Sequence, residues 1–394
     1  MKIIVQKFGG TSVSTNDKRE KIVEKIKKAI KDGYSPLIVV SAMGRMGEPY
    51  ATDTLRSMID NRFRESNLQA TDMLISCGET ISTIVMSNKL YEHNMESMPL
   101  TGGQAGILTN SDFGNAEILD VNTDRILSLL KQNIIPVVAG FQGVDKHGYI
   151  TTLGRGASDV TAAVLGAYLK AEKVEIYTDV DGIMTTDPRI VEKASLINKI
   201  DYAETCELAE QGAKVIHPRA VQIAQKYNIP LIIKNTMSEC EGTTIGSFDD
   251  THYTKPVTGI AYLNDRVQFH VKSSNENYFK LFDSFAENLI SLDLINVFPK
   301  EKIFTVDAIN MGKVKTILEE YNLEYTITEH CSKISIIGMG MKGRPGVMAK
   351  ILTALTRVNI EVLQTADSHM TIWCLVKEEE VNDAIRSLHK EFNL

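Results

Sequence analysis

Short apolar runs recur through the first part of the chain, each with a helical pattern nearby: Ile3 to Phe8, Leu37 to Val40, Pro136 to Ala139, Val174 to Tyr177 and Leu231 to Ile233. Such runs scarcely alternate between apolar and polar residues, so they suit strands covered on both faces. The intervening helices are one-sided: Ile22, Val23, Ile26, Ala29 and Ile30 share a face, Asn16 or Asp17 is placed to cap that helix, and Gly33 ends it. Residues 1–245 therefore read as an α/β domain, a three-layer sandwich with a mostly parallel sheet between two layers of helices.

Composition narrows the class. The chain has 394 residues, 43% of them hydrophobic and 24% charged, which allows two or three domains with sizeable cores. Its net charge of -7 is spread without a basic block, arguing against nucleic acid as a partner. No run approaches the ~20 apolar residues of a membrane span, and the opening MKIIVQKFGG reads as a strand and turn, not a signal peptide. Cys77, Cys206, Cys240, Cys331 and Cys374 are dispersed and odd in number, matching neither a disulfide framework nor a structural zinc site. A reduced, cytoplasmic protein is expected.

Around residues 246–256 the chain turns polar and turn-rich, which places a linker there. Beyond it the rhythm shortens. Strand 266–271, helix 276–287, strands 290–297 and 302–307, helix 310–320 and strand 323–328 form an α+β βαββαβ unit spanning 266–329. Strand 332–337, helix 345–357, strands 360–366 and 370–376 and helix 378–390 form a second unit that stops one strand short. An unpaired sheet edge is a liability. The unassigned segment 257–263 is expected to complete the second unit (257–263 plus 332–394), with the first inserted within it.

Three motifs carry chemistry. Lys7-Phe-Gly9-Gly10-Thr-Ser places a lysine at a strand end and two glycines beyond it, where backbone N–H groups can approach phosphate oxygens. It lacks Walker A spacing, and alone it also reads as an ordinary turn. Arg155-Gly156-Ala157-Ser158-Asp159 opens a helix, whose N-terminus suits an anion, and Arg155 offers a fork matched to a carboxylate. Here the plain alternative is a helix cap with a solvated arginine. Tyr177-Thr178-Asp179, followed by Gly182-Ile183-Met184 and Asp187-Pro188, reads as a ligand loop at a strand's carboxyl end, or as a plain acidic turn.

In this order the motifs resemble those of the aspartate kinases of the amino-acid-kinase family. The likeness extends through Ser41-Ala-Met-Gly44, Ser76-Cys-Gly-Glu79, Gly102-Gly-Gln-Ala-Gly106, Ala139-Gly-Phe-Gln-Gly143 and Gly212-Ala-Lys214-Val-Ile-His-Pro218. The two βαββαβ units resemble paired ACT regulatory domains, as in the stand-alone Bacillus-type members. The resemblance implies transfer of the ATP γ-phosphate to the side-chain carboxylate of L-aspartate, giving an acyl phosphate at the entry to lysine, diaminopimelate, threonine and methionine biosynthesis.

By the same resemblance, Lys7 stabilises the transferring phosphoryl group, Gly9 and Gly10 line the phosphate site, and Asp159 organises the charged centre through Lys7 or Mg²⁺. Arg155 holds the aspartate α-carboxylate and Glu79 its ammonium group, with Ser41, Gly156, Ala157 and Ser158 lining the pocket. Tyr177, Thr178, Asp179, Ile183 to Pro188 and Lys214 surround the nucleotide. No protein metal site is assigned, Mg²⁺ arriving with ATP. Two departures stand out: Ala157 stands where a glycine is frequent, and Met184 where a tyrosine is common.

Elementary chemistry fits the assignment. An aspartate side chain with a pKa of roughly 3.9 is already ionised, so the nucleophile needs charge neutralisation and positioning, not a general base. His217 lacks the orienting partners of a catalytic histidine and is read as structural.

In the second unit, Met341, Gly343, Pro345, Gly346 and Val347 form a glycine-rich helix entry with proline suited to the first turn. The ACT resemblance makes this an effector site for lysine, threonine or diaminopimelate, with Gln364, Asp367 and Ser368 facing the ammonium. The corresponding loop of the first unit, 272–278, has no glycine, so fewer than two effector sites per chain are expected. ACT units pair across subunits, implying a homodimer. Competing readings are glutamate 5-kinase or acetylglutamate kinase, a silent amino-acid sensor, and a nucleoside-monophosphate kinase. The Glu79 and Arg155 motifs with paired ACT-like units favour aspartate, and retention of Lys7, Arg155 and Asp159 opposes a silent sensor.

Overall fold

The apolar runs become the middle of one sheet. The computed structural model describes residues 1–213, 215–249, 254–272 and 278–394. Its largest sheet has eight strands in the order 199–201, 243–246, 231–235, 173–178, 2–8, 34–40, 135–139 and 97–100. All neighbours are parallel except 231–235 with 243–246. The inner strands are buried along their length, with Val5, Phe8, Leu37, Ile38, Val39, Val137, Val138 and Val174 excluded from solvent.

The helix Asn16–Lys31 lays Ile22, Val23 and Ile26 against this sheet, in one core with Phe8, Ile38, Val40 and Val137. Thr15, one residue before the expected caps, accepts from the Lys18 N–H, and the chain turns out at Gly33 with φ +85°. On the other face the helix Ser158–Tyr168 is buried over nearly its whole length. A separate four-stranded sheet, ordered 118–121, 107–109, 142–145 and 150–152, accompanies the large one.

The described chain divides into two compact units. The first holds residues 1–183, 196–209 and 214–248, and the second holds 184–195, 210–213 and 249–394. In the second unit the sequence reading needs revision. The segments expected as separate strands 257–263 and 266–271 form one strand, Gly259–Lys272, and 323–328 and 332–337 form another, Glu324–Ile337. Together they are the two middle strands of one six-stranded sheet, ordered 293–297, 301–307, 259–272, 324–337, 371–377 and 364–367.

Residues 259–263 pair with 333–337, while 266–272 pair with 301–307 and with 324–331. The register slips between Leu263 and Arg266, and Asp265 and His330 take φ of +57° and +54° there. A bulge of this kind adds twist without breaking the strand, so one strand serves two cores. One core gathers Ile334, Ile336, Ile351, Leu355, Ile385 and Leu388; the other gathers Val267, Phe269, Phe285, Phe304, Val306 and Leu318. Periodicity did not reveal the continuity, because the polar residues around the bulge read as a break.

Among the described residues, no helix is long and apolar enough to cross a membrane. Ile38, fully buried between Gln6-containing and Val137-containing neighbours, tests the central core. Ile38→Ala is expected to destabilise the protein by about 2–5 kcal/mol, read from the shift of a denaturant unfolding curve.

Candidate active site

The strand 2–8 is flanked by parallel neighbours on both sides: the chain runs from it to 34–40 on one side, and from 173–178 on the other side it runs outward to 199–201 and 231–235. In open α/β sheets ligands bind at the carboxyl ends of strands beside such a reversal. Lys7, Gly9, Gly10, Ser41 and the 139–141 turn all lie at these ends. A cavity of about 500 Å³ opens there, and its walls include Lys7, Gly10, Ser41, Glu79, Arg155, Gly156, Ala157, Ser158 and Asp159. These residues, from four separate stretches of sequence, are thus brought around one space.

At its base the Lys7 ammonium lies 2.7 Å from Asp159 Oδ1, with both side chains 11% exposed. Asp159 stands in the first turn of the helix Ser158–Tyr168, and its Oδ2 accepts from the His217 N–H at 3.3 Å. A lysine held this way keeps its direction. Gly10 is required by close approach, since a side chain there would collide with the Ala42 carbonyl. The Gly9 N–H donates to the Tyr177 carbonyl at 3.1 Å, tying the glycine pair to the strand 173–178.

Glu79 is 2% exposed, on the first turn of the helix Cys77–Glu92. Its Oε1 accepts from the Ala42 N–H at 3.2 Å, while Oε2 is buried without a hydrogen-bond partner. Burial pushes its carboxyl up to about 8, against hydrogen bonds that favour the anion. A buried carboxylate with an open lone pair on a cavity wall suits a cationic group. Across the cavity Arg155 is exposed, and its Nη2 lies 2.5 Å from Asp53 Oδ1. Asp53, Arg56 and Arg64 also line the cavity. The periodicity of residues 52–66 gave no sign of this, because that segment is helical yet almost wholly surface.

Other expected residues are placed differently from their assignments. The Tyr177 ring is turned into the core, stacked on Phe8 at 4.8 Å with its hydroxyl donating to Glu175 at 2.9 Å, so only its backbone faces the glycine pair. Asp179 is paired with Arg45 at 2.6 Å, and the Ile183 N–H donates to Thr243. The segment divides: Thr178, Asp179 and Ile183 belong to the first unit, whereas Met184, Asp187 and Pro188 belong to the second, where Asp187 is clasped by Arg189. Lys214 lies outside the described residues. His217 is structural: its Nδ1 accepts from the Arg219 N–H and caps the helix Pro218–Tyr227, and burial lowers its pKa.

In the second unit, Gly343 and Gly346 have φ of +70° and +91°, and Gly346 precedes the helix Val347–Thr356. Pro345 is therefore outside the first turn, in correction of the expectation, and Met341 is buried. Gln364 is already engaged: its amide donates to the Leu294 carbonyl and Asn296, and its oxygen accepts from Gln268. Ser368 closes a turn by accepting from Met370 and Thr371 N–H groups, and Asp367 is exposed.

Comparison with known proteins decides the family. Residues 2–235 match the amino acid kinase family, and residues 326–390 match the ACT domain. The chain is 42% identical to aspartokinase 1 of Bacillus subtilis over the full length of both. The chain belongs to the aspartokinases of the amino acid kinase family. It is also 37% identical to an aspartokinase of Bacillus sp. MGA3, spanning all of this chain and 98% of that one. Among solved structures, E. coli aspartokinase III in complex with aspartate and ADP matches over all of both chains, with 26% identity and a TM-score of 0.77. The same E. coli protein with lysine and aspartate matches over 99% of both, with 25% identity and a TM-score of 0.74.

Glu79 sets a pH dependence. Its folded carboxyl lies above the unfolded value, so it binds a proton more readily when folded, and its contribution to stability declines as pH rises towards about 8. The ionised form is the one that attracts an ammonium. The specificity constant for an amino-acid substrate is therefore expected to rise as pH climbs through about 8, a step that Glu79→Gln should abolish in a pH–rate profile.

Proposed function

We propose that this cavity is where the aspartokinase reaction takes place, with Lys7 and Asp159 at the phosphoryl position and Glu79 and Arg155 holding the amino acid. The chain is an ATP-dependent kinase that phosphorylates the β-carboxylate of L-aspartate. The observation that carries the residue roles is the buried Lys7–Asp159 pair at the strand end, facing a cavity that also holds a buried carboxylate with one oxygen left without a partner.

The two reactants are both anionic. Bringing a carboxylate to a triphosphate is opposed by Coulomb repulsion, which in a partly dry cavity costs far more than in water. Lys7 supplies a fixed positive charge against the transferring group, and Asp159 keeps that ammonium aimed and prevents it from folding onto another anion. Backbone N–H groups around Gly10 add donors that need no reorganisation during the step. The aspartate β-carboxylate attacks the γ-phosphorus in line from the side where Glu79 holds the ammonium and Arg155 the α-carboxylate, Arg155 exchanging Asp53 for the substrate; the bond from the γ-phosphorus to the β,γ-bridging oxygen breaks and ADP leaves. No proton has to be removed from the nucleophile.

Mg²⁺ travels with the nucleotide and, when bound, neutralises charge on the phosphate oxygens. Asp159 is a hard oxygen donor of the type Mg²⁺ prefers, and among the described residues no cluster of three or more metal-binding side chains exists to retain an ion alone.

The turn at Gly343–Val347 is proposed to receive an amino-acid effector, supported by its two left-handed glycines at a helix entry and by the lysine complex of the E. coli relative. Because Gln364 is committed within its own unit, the effector's ammonium is assigned to the neighbourhood of Asp367. The expected homodimer through the ACT-like units and fewer than two effector sites per chain belong to this same proposal; the loop 273–277 lies outside the described residues.

The test is hydroxamate trapping of the acyl phosphate with aspartate, glutamate and acetylglutamate as acceptors. Product is expected with aspartate alone. Lys7→Ala is expected to lower kcat by about a hundred- to thousandfold, and wild-type turnover in that variant would remove Lys7 from its role.

A further inference from the structure

The mechanism above leaves two buried polar side chains without a task. Asp72 is fully buried in the helix Leu68–Ile75, and Gln142 is 1% exposed at the start of the strand Gln142–Asp145. Asp72 Oδ2 accepts from the Gly114 and Thr152 N–H groups, each at 2.8 Å, and Oδ1 accepts from the Thr152 hydroxyl at 2.7 Å. Gln142 Nε2 donates to the Ser76 carbonyl at 2.9 Å. Thr152 and Gln142 are direct partners across the antiparallel pair 142–145 and 150–152. Asp72 and Ser76 are one helical turn apart, the Ser76 N–H donating to the Asp72 carbonyl. One turn of helix thus grips one rung of a hairpin at two points.

The placement of that grip is what gives it meaning. Glu79 stands three residues beyond Ser76, and Arg155 three residues beyond Thr152. Three residues on from the clamp, each chain segment reaches one of the two groups assigned to the amino acid's ammonium and α-carboxylate. Short tethers from a rigid point fix the separation of their ends, and a buried carboxylate with three donors is expensive to displace. We infer that Asp72 and Gln142 are positioning residues that hold Glu79 and Arg155 in place, fixing where the amino acid's α-carbon is anchored relative to Lys7 and thereby the length of side chain whose carboxylate reaches the phosphoryl position. This rests on the assignment of Glu79 and Arg155 to substrate.

Steady-state kinetics on the full-length enzyme test it, with ATP and with aspartate or glutamate as acceptor. Asp72→Ala is expected to raise the KM for aspartate about tenfold and to narrow the preference over glutamate, with the KM for ATP changed by less than about threefold. Asp72→Asn should recover most of the loss, because its amide oxygen accepts both N–H groups while the Thr152 hydroxyl turns to accept. Gln142→Ala should move the same parameters by less. The double variant should fall short of the product of the single effects, since both hold one junction.

Equal changes in both KM values, or an unchanged aspartate KM in folded Asp72→Ala, would overturn the inference. Should that variant not fold, an unchanged aspartate KM and selectivity in Gln142→Ala overturn it instead. Glu79→Gln and Arg155→Lys keep the two levels apart. If neither alters the aspartate KM, the substrate assignment itself falls; if both do and the clamp variants do not, only the clamp falls.

Discussion

Everything in the catalytic unit hangs on the strand Lys2–Phe8 being hydrogen-bonded to parallel partners on both sides. Its register with 34–40 and with 173–178 leaves no freedom for Lys7, whose backbone lies opposite Val39 on one side and Ile176 on the other. A parallel sheet must be covered on both faces, so its chemistry is pushed to the strand ends, where the chain leaves the hydrophobic layers. The lysine is the last polar residue before that edge. It can reach into the cavity while its aliphatic stem stays packed.

Burial then makes the electrostatics matter. A lysine and an aspartate that are each about one-tenth exposed cannot both lose water without compensation, and their 2.7 Å contact supplies it. Removing either would strand the other. The same logic acts with the opposite sign at Glu79, whose hydrogen-bond partners are uncharged donors and not a cation, so burial raises its carboxyl towards neutrality. One cavity therefore holds a satisfied charge pair and, on Glu79, a carboxylate oxygen left open. That difference in environment, not in residue type, separates their roles.

The regulatory unit shows a different economy. Two strands of fourteen residues pass through both of its cores, joined by a bulge where Asp265 and His330 adopt left-handed backbone. A continuous strand transmits displacement of one half to the other more directly than a flexible linker does. Gln364 reinforces this from the edge strand by bonding to Leu294 and Asn296.

Much of this was legible in residue order alone. Apolar runs without alternation require a two-faced sheet, and Lys7-Phe-Gly9-Gly10 and Arg155 to Asp159 carry the chemistry of anion binding whatever surrounds them. The merged strands were not legible, because polar residues at a bulge look like the end of a strand. Nor was the turning of Tyr177 into the core, since alternation across a strand leaves its face open until the neighbouring Phe8 is known. Asp72 and Asp53 gave no signal, their meaning arising only when residues roughly eighty and a hundred positions away arrive beside them. Local covalent order sets which groups exist and which elements they ride on. Long-range packing alone decides which of them meet, which lose their water, and so which carry charge where a reaction needs it.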